Sequence, residues 1–224
     1  MTAISSIAAL DDPLRLRLYD YVCGQDHEVS RDEAAAATGM QRAMAAFHLD
    51  KLAAAGLLAV TFRRPAGRSG PGAGRPAKLY RRSDAEHQVS VPPRNYHAAA
   101  EILAEVAEVT GAEPAVQRVA RRRGSQAGRA ARAADPAASA ADLVAASLAA
   151  QGYQPYLDGT VIRLRNCPFH VLADQHPPLI CGMNLALIQG LLAEAAAGRL
   201  AARLDPQPGD CCVVVLDKSK DASA

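Results

Sequence analysis

A short capped helix, a single glycine and a longer helix follow one another between Ser30 and Gly56, and this order leaves the N-terminal part of the chain few possible folds. Ser30-Arg31-Asp32-Glu33 is a capping box: the serine side chain accepts from the third amide and the glutamate reaches back to the cap. The helix it opens runs to Thr38, and Gly39 makes the turn. A further helix runs from about Gln41 to Ala55, with Ala45, Leu49 and Leu52 on one side and Gly56 at its end. An earlier helix starts at Asp11-Asp12-Pro13, an acidic cap with proline at the first helical position, and carries Leu14, Leu18, Tyr21 and Val22 as far as Gly24. Two helices joined by a tight glycine turn are the mark of a helix-turn-helix. Two strands are predicted next, Ala59 to Arg64 and Ala77 to Arg82, joined by PAGRSGPGAGRP. A hairpin with a basic tip in this position is a wing, whose arginines lie along phosphates or enter the minor groove.

Charge points the same way. The net charge of +2 says little, but its distribution says more. Arg63, Arg64, Arg68, Arg75, Lys78, Arg81 and Arg82 fall in one stretch without an acid, the usual footprint of a phosphate-binding surface. A second basic group, Arg118, Arg121, Arg122, Arg123, Arg129 and Arg132, reads equally well as phosphate-binding or simply solvated. The candidate DNA-reading set on the helix after Gly39 is Gln41, Arg42, Met44, Ala45, His48 and Lys51. Arg42 suits a guanine edge and Gln41 an adenine, while His48 and Lys51 suit phosphates. From the wing come Arg63, Arg64, Arg68, Arg75 and Lys78.

With 224 residues the chain is long enough for two domains. The DNA-binding domain is assigned to 1–95. Residues 96–138 are read as a linker: a helix from Tyr96 to Val109, with Ile102, Leu103, Val106 and Val109 forming a dimer contact or connection, then an Ala/Arg/Gly-rich stretch holding one helix (Pro114 to Arg123) and otherwise flexible. A small α+β sensor domain is assigned to 139–217. It has a helix over Ala140 to Gln151, a hairpin turning at Asp158-Gly159, a helix over Pro177 to Ala197 and a last strand over Cys211 to Leu216. Residues 218–224 are read as a disordered tail. The fold class is thus α+β, a winged helix-turn-helix followed by a small α+β domain.

The N-terminus lacks the charged and apolar regions of a signal peptide, and no segment is expected to supply the roughly 18 apolar residues of a membrane span. A cytoplasmic protein without membrane contact is expected. In that compartment the five cysteines are better read as metal or redox groups than as structural disulfides. Cys23 lies alone on the buried side of its helix, as a small core residue. Cys167, Cys181, Cys211 and Cys212 all fall in the second domain, with His170 and His176 nearby. There is no CxxC pair, so no zinc ribbon or finger is indicated. Ligands from three separate elements nevertheless suit a metal or cluster assembled by the fold. Adjacent cysteines on a strand point to opposite sides, so only one of Cys211 and Cys212 is expected at the site. No nucleophile elbow, P-loop or pair of carboxylates in an apolar setting is present, and no enzyme is indicated.

The segments LRLRLYDYV, TGMQRAMAAFHLDKLAAAGLL and GRPAKLYRR together resemble the ArsR-type winged-helix regulators over about Leu10 to Ser83, and GRPAKLYR resembles the ascending wing strand of the SufR-like subgroup. NCPFH, HPPLICGMN and PGDCCVVV resemble the C-terminal domain of the same iron–sulfur regulators. The resemblance implies a homodimeric regulator, read as a repressor, that binds double-stranded DNA at a palindromic operator. It also implies that three cysteines hold an iron–sulfur cluster, read as 4Fe-4S, that alters DNA affinity. Cys167 and Cys181 match directly and the third is Cys212 or Cys211, with His170 or His176 as a candidate fourth ligand. The alternatives are a regulator sensing zinc or a small ligand, and a metal-free thiol redox switch.

Overall fold

In a computed structural model of the protein, residues 2–63, 76–196, 198–207 and 209–218 are described. The chain mixes helices with two antiparallel sheets, and it divides into two compact units, Met1–Arg94 and Asn95–Ala224.

The first unit opens with α1 (Ala3–Ala8), which the sequence analysis missed; Thr2 caps it, and buried Ser6 donates to the Ala55 carbonyl at 2.7 Å. A 3-10 turn leads to α2 (Pro13–Cys23), where Asp12 accepts from the Leu14 and Arg15 amides, as its acidic cap foretold. After β1 (Val29–Ser30) the capping box opens α3 (Arg31–Thr38), with both reciprocal bonds made. Gly39 takes the left-handed conformation (φ 68°) that a side chain would strain, and α4 (Arg42–Ala54) follows. The strands β2 (Leu58–Arg63) and β3 (Ala77–Arg82) pair antiparallel, and β3 also pairs with β1, giving the order β1-β3-β2. The stretch holding Arg64, Arg68 and Arg75 lies outside the described residues. Leu18, Val22, Val29, Ala34, Leu49, Leu52 and Tyr80 form the core.

One polar knot ties α4 to the sheet. Asp50 accepts from Lys78 Nζ at 2.5 Å, the Tyr80 hydroxyl at 2.6 Å and Arg31 Nη2 at 2.7 Å. Partial burial works to raise the Asp50 carboxyl, but the bonds from Lys78, Tyr80 and Arg31 outweigh it and hold it at about 2, below its usual 3.8. A carboxyl depressed on folding stabilises the fold above its unfolded pKa and loses that contribution as pH falls toward its folded value. Asp50→Asn is therefore expected to lower the melting temperature of the first unit at neutral pH and to flatten its acid dependence between about pH 4 and 2. Calorimetry across that window checks this; an unchanged acid profile contradicts it.

The second unit contains α5 (Tyr96–Val109), α6 (Glu113–Ala134) and α7 (Ala140–Ala150), then the hairpin β4 (Pro155–Asp158) and β5 (Val161–Leu164). These are followed by α8 (His170–Gln175), α9 (Pro177–Ala195), β6 (Leu200–Leu204) and β7 (Val213–Asp217). The sheet runs β4-β5-β7-β6, antiparallel throughout. Val144, Leu148, Ile162, Leu164, Ile188, Leu191, Val213 and Val215 fill the core between helices and sheet.

Two expectations are corrected here. The helix expected over Tyr96 to Val109 is α5, but the stretch after it, expected to be flexible beyond Arg123, is α6, one helix of 22 residues, and both belong to the second unit. Gly124 and Gly128, in the part expected to be flexible, are contact points within this helix: a Cβ on Gly124 would stand 1.9 Å from the Leu187 carbonyl oxygen of α9. Part of the second basic group is also committed to that packing. Arg121 bonds Gln189, Arg129 pairs with Glu194 at 2.8 Å, and Arg132 donates to the Ala195 carbonyl. The second correction concerns α9, which by length and composition is apolar enough to cross a membrane. Half of it is buried within the second unit, as a core helix of that unit. Of the expected disordered tail, Lys218 is described, and its amide donates to the Arg199 carbonyl at 3.0 Å.

Candidate functional site

Two groups of side chains stand out, one in each unit. In the first, α4 presents an exposed side on which Gln41, Arg42, Met44, Phe47 and Lys51 reach solvent. Gln41 occupies the N-cap without using its side chain to cap, so its amide is free to reach outward. Met44 is 44% exposed and Phe47 56%, a large apolar display for a short helix. Lys51 Nζ sits 5.6 Å from the Phe47 ring centroid, so the cation and the aromatic form one patch. Phe47 was not foreseen; its signal was an aromatic placed three residues from Met44 and four from Lys51, on the outer helical row.

Several of the sequence-chosen residues lie elsewhere. Ala45 is fully buried and belongs to the core, one turn from Leu49. His48 is 7% exposed, and its Nδ1 is buried without a hydrogen-bond partner. It falls between the core positions 45, 49 and 52, so the helical period turns it inward rather than toward phosphates. Lys78 spends its charge on Asp50 and lies over the Tyr80 ring. Arg63 pairs with Glu28, and Arg42 with Asp32 on α3. Both of these arginines are exposed, so their pairs contribute little to stability and exchange readily for another anion.

In the second unit four cysteines from three chain segments come together. Cys167 lies in the loop after β5, Cys181 in the early turns of α9, and Cys211 and Cys212 in the bend before β7. The Cys211 thiol interacts with those of Cys167 and Cys212, and Cys212 in turn with Cys181. Cys211 and Cys212, expected to open the last strand, precede it. β7 begins at Val213, so the pair sits on a bend and strand alternation does not apply. Cys211 is pinned by its amide to the Leu164 carbonyl at 2.8 Å, and the Cys212 carbonyl accepts from Asp205 at 2.8 Å.

The neighbouring thiols shift one another in opposite directions. Hydrogen bonds from Cys167 and Cys212, helped by the Val213 amide and Asn184, push the Cys211 thiol well below its usual range. Cys167 and Cys212 are pushed up, chiefly by bonding to Cys211 and then by burial. Two backbone amides, each two residues beyond its cysteine, donate to sulfur: Phe169 to Cys167 and Val213 to Cys211.

Neither candidate histidine joins them. His170 is exposed and faces Asp174 at 3.5 Å, while His176 Nδ1 meets Glu108 at 2.7 Å. Cys23 is a core residue, as expected, its thiol raised to about 11 chiefly by burial. Among the described residues no three His, Cys, Asp or Glu side chains stand in ready-made metal geometry, and no disulfide is present. The donor set is all thiol and set against an apolar core, which suits a thiophilic ion or an iron–sulfur cluster in type and number of ligands.

Comparison with known protein families, curated proteins and solved structures finds no match.

Proposed function

We propose that the protein is a DNA-binding transcription regulator, its first unit a winged helix-turn-helix and its second a sensor that holds an iron–sulfur cluster on cysteines. The observation that carries the DNA-binding reading is the outer side of α4, where Gln41, Arg42, Met44, Phe47 and Lys51 are exposed over a helix whose other side is core. A helix so displayed after a glycine turn and before a two-stranded ribbon has the form of a recognition helix for the major groove. Arg42 and Gln41 supply base-edge donors, Phe47 and Met44 supply apolar contact for thymine methyls, and Lys51 faces phosphate.

The sensor reading rests on the four thiols. Cys167, Cys181, Cys211 and Cys212 would be the ligands, and a bound cluster would supply reversible electron transfer and sensitivity to oxidant. Its ligands come from the β5 loop, α9 and the β7 entry, so gain or loss of the cluster changes how tightly these segments are joined. The thiol contact between Cys167 and Cys211 supports a second reading, a metal-free switch. There a peroxide accepts two electrons and two protons as the two thiols become a disulfide.

The regulator is proposed to act as a homodimer on a palindromic operator. On α5, Ala104 and Ala107 are buried against Leu179 and Ile180, while Ile102, Leu103, Val106 and Val109 stay exposed and offer an apolar side to a second copy. Light scattering is expected to give twice the chain mass of 23.5 kDa, and Val106→Glu to return it toward one. A monomeric wild type removes α5 from the proposal.

Selection of duplexes from a random pool, followed by fluorescence anisotropy on the enriched sequence, tests DNA binding. Arg42→Ala and Phe47→Ala are expected to cost about 1–3 kcal/mol on that duplex, with stability changed by less than about 0.5 kcal/mol. Lys51→Ala is expected to weaken all duplexes alike and lower the salt slope by about 1. Failure to enrich any sequence, or variants that bind like wild type, overturns the reading.

A further inference from the structure

Asn184 is the polar side chain most completely enclosed in the second unit, at 0% exposure on α9, a helix otherwise apolar where it is buried. A buried carboxamide in such a place is costly unless its bonds are made. Its Oδ1 accepts from the Tyr153 hydroxyl at 2.5 Å. Its Nδ2 lies 3.3 Å from Cys211 Sγ and 3.9 Å from Cys167 Sγ. The Tyr153 hydroxyl donates to Oδ1, which leaves Nδ2 as the end of the amide toward the sulfurs. The tyrosine thereby fixes which end of Asn184 faces the sulfurs. Asn184 and Cys181 are three residues apart on α9 and share a side, which brings the amide to the thiol group.

A neutral thiol is a weak acceptor, whereas a thiolate, free or bound to a metal, takes an N–H strongly. An amide aimed at two sulfurs and locked in that direction is therefore matched to their anionic form. It supplements the Phe169 and Val213 amides on the same two atoms. We propose that Asn184, oriented by Tyr153, is a positioning residue of the thiol site that holds Cys167 and Cys211 side by side and stabilises negative charge on their sulfurs when they bind metal. This rests on the reading of the four cysteines as a metal site and adds to it the residue that tunes the site. Hydrogen bonds to cluster sulfurs favour the more negative, reduced state, so loss of the amide is expected to lower the reduction potential.

The test uses the full chain, anaerobically, as wild type, Tyr153→Phe and the double variant Asn184→Leu/Tyr153→Phe. The double variant removes both partners of a buried bond, a change that can be nearly neutral for folding, and Tyr153→Phe keeps the amide but frees its direction. Cobalt(II) titration, read by sulfur-to-cobalt charge-transfer absorption, reports thiolate binding without iron. The double variant is expected to bind cobalt about tenfold or more weakly, Tyr153→Phe less so, with unchanged circular dichroism. In iron-reconstituted protein the potential of the double variant is expected to fall by a tenfold change in the reduction equilibrium, about 59 mV for one electron. Variants that match wild type in both measurements overturn the proposal, as does a wild type that forms no thiolate–cobalt bonds. A wild type that takes cobalt with the expected dependence on Asn184, yet no iron and sulfide, upholds the positioning role and overturns the iron–sulfur reading alone.

Discussion

Alanine at Gly190 or Gly124 is expected to destabilise the second unit by about 3 kcal/mol, the upper end of the range for overpacking, and to lower its melting temperature by roughly 10 °C. The reason is the nature of the atoms met. A Cβ on Gly190 would stand 2.1 Å from the Arg121 carbonyl oxygen and 2.9 Å from the Ser125 nitrogen, and one on Gly124 would stand 2.9 Å from the Leu191 nitrogen. These are backbone atoms of the facing helix, which cannot rotate away, so α6 and α9 must move apart and give up the contacts between them. Gly182 supplies the control. Its added Cβ meets the far end of the Gln117 side chain at 2.8 Å, which can swing aside. Gly182→Ala is therefore expected to be neutral or slightly stabilising, since alanine is the better helix former by about 1 kcal/mol. Thermal melts of the three variants check the contrast. Equal effects at Gly182 and Gly190 would contradict the close approach of the two helices.

Serine at Cys167 or Cys211 is expected to abolish iron and sulfide incorporation on anaerobic reconstitution, while Cys23→Ser leaves it intact. Cys211 touches Cys167, Cys212 and Asn184, so its loss removes the sulfur through which the others are joined. Cys212→Ser separates this structure from the strand-alternation argument. If both neighbouring cysteines serve the site, Cys212→Ser loses metal much as Cys211→Ser does. If only one serves, one of the two variants keeps a full complement. Iron and sulfide analysis with the visible spectrum decides, and wild-type metal content in Cys167→Ser would remove these cysteines from any cluster.

Much of the fold was legible because its signals are local. The Asp12-Pro13 start, the Ser30 capping box, the Gly39 and Gly56 turns and the Asp158-Gly159 hairpin each depend on backbone chemistry that a few residues dictate. What was illegible depended on packing partners distant in sequence. The stretch after Arg123, expected to be flexible, is helical as far as Ala134, with Gly124 and Gly128 against the α9 backbone. In the Ala-rich α4 the contrast between inner and outer sides is weak, so Ala45 was named among the DNA-reading residues although it shares a side with Leu49 and Leu52, His48 was placed outward and Phe47 was passed over. The short elements α1, α8 and β6 give too few residues for a period to emerge. At the thiol site the cysteines were visible from their spacing and setting, but their meeting depends on where β7 starts, and Val213 as its first residue puts Cys211 and Cys212 on a bend. Asn184 carried a readable signal, an amide in the apolar run LICGMNLALI, though its partner Tyr153 lies 31 residues away.

The measurement that bears most directly on the proposed regulator is the anaerobic dissociation constant of the enriched duplex for iron–sulfur-loaded and metal-free protein, at one fixed salt concentration. If the thiol site governs the DNA-reading unit, the two constants differ by at least about fivefold, the lower bound of typical coupling between linked sites. Equal constants, or binding indifferent to sequence in both forms, would contradict it.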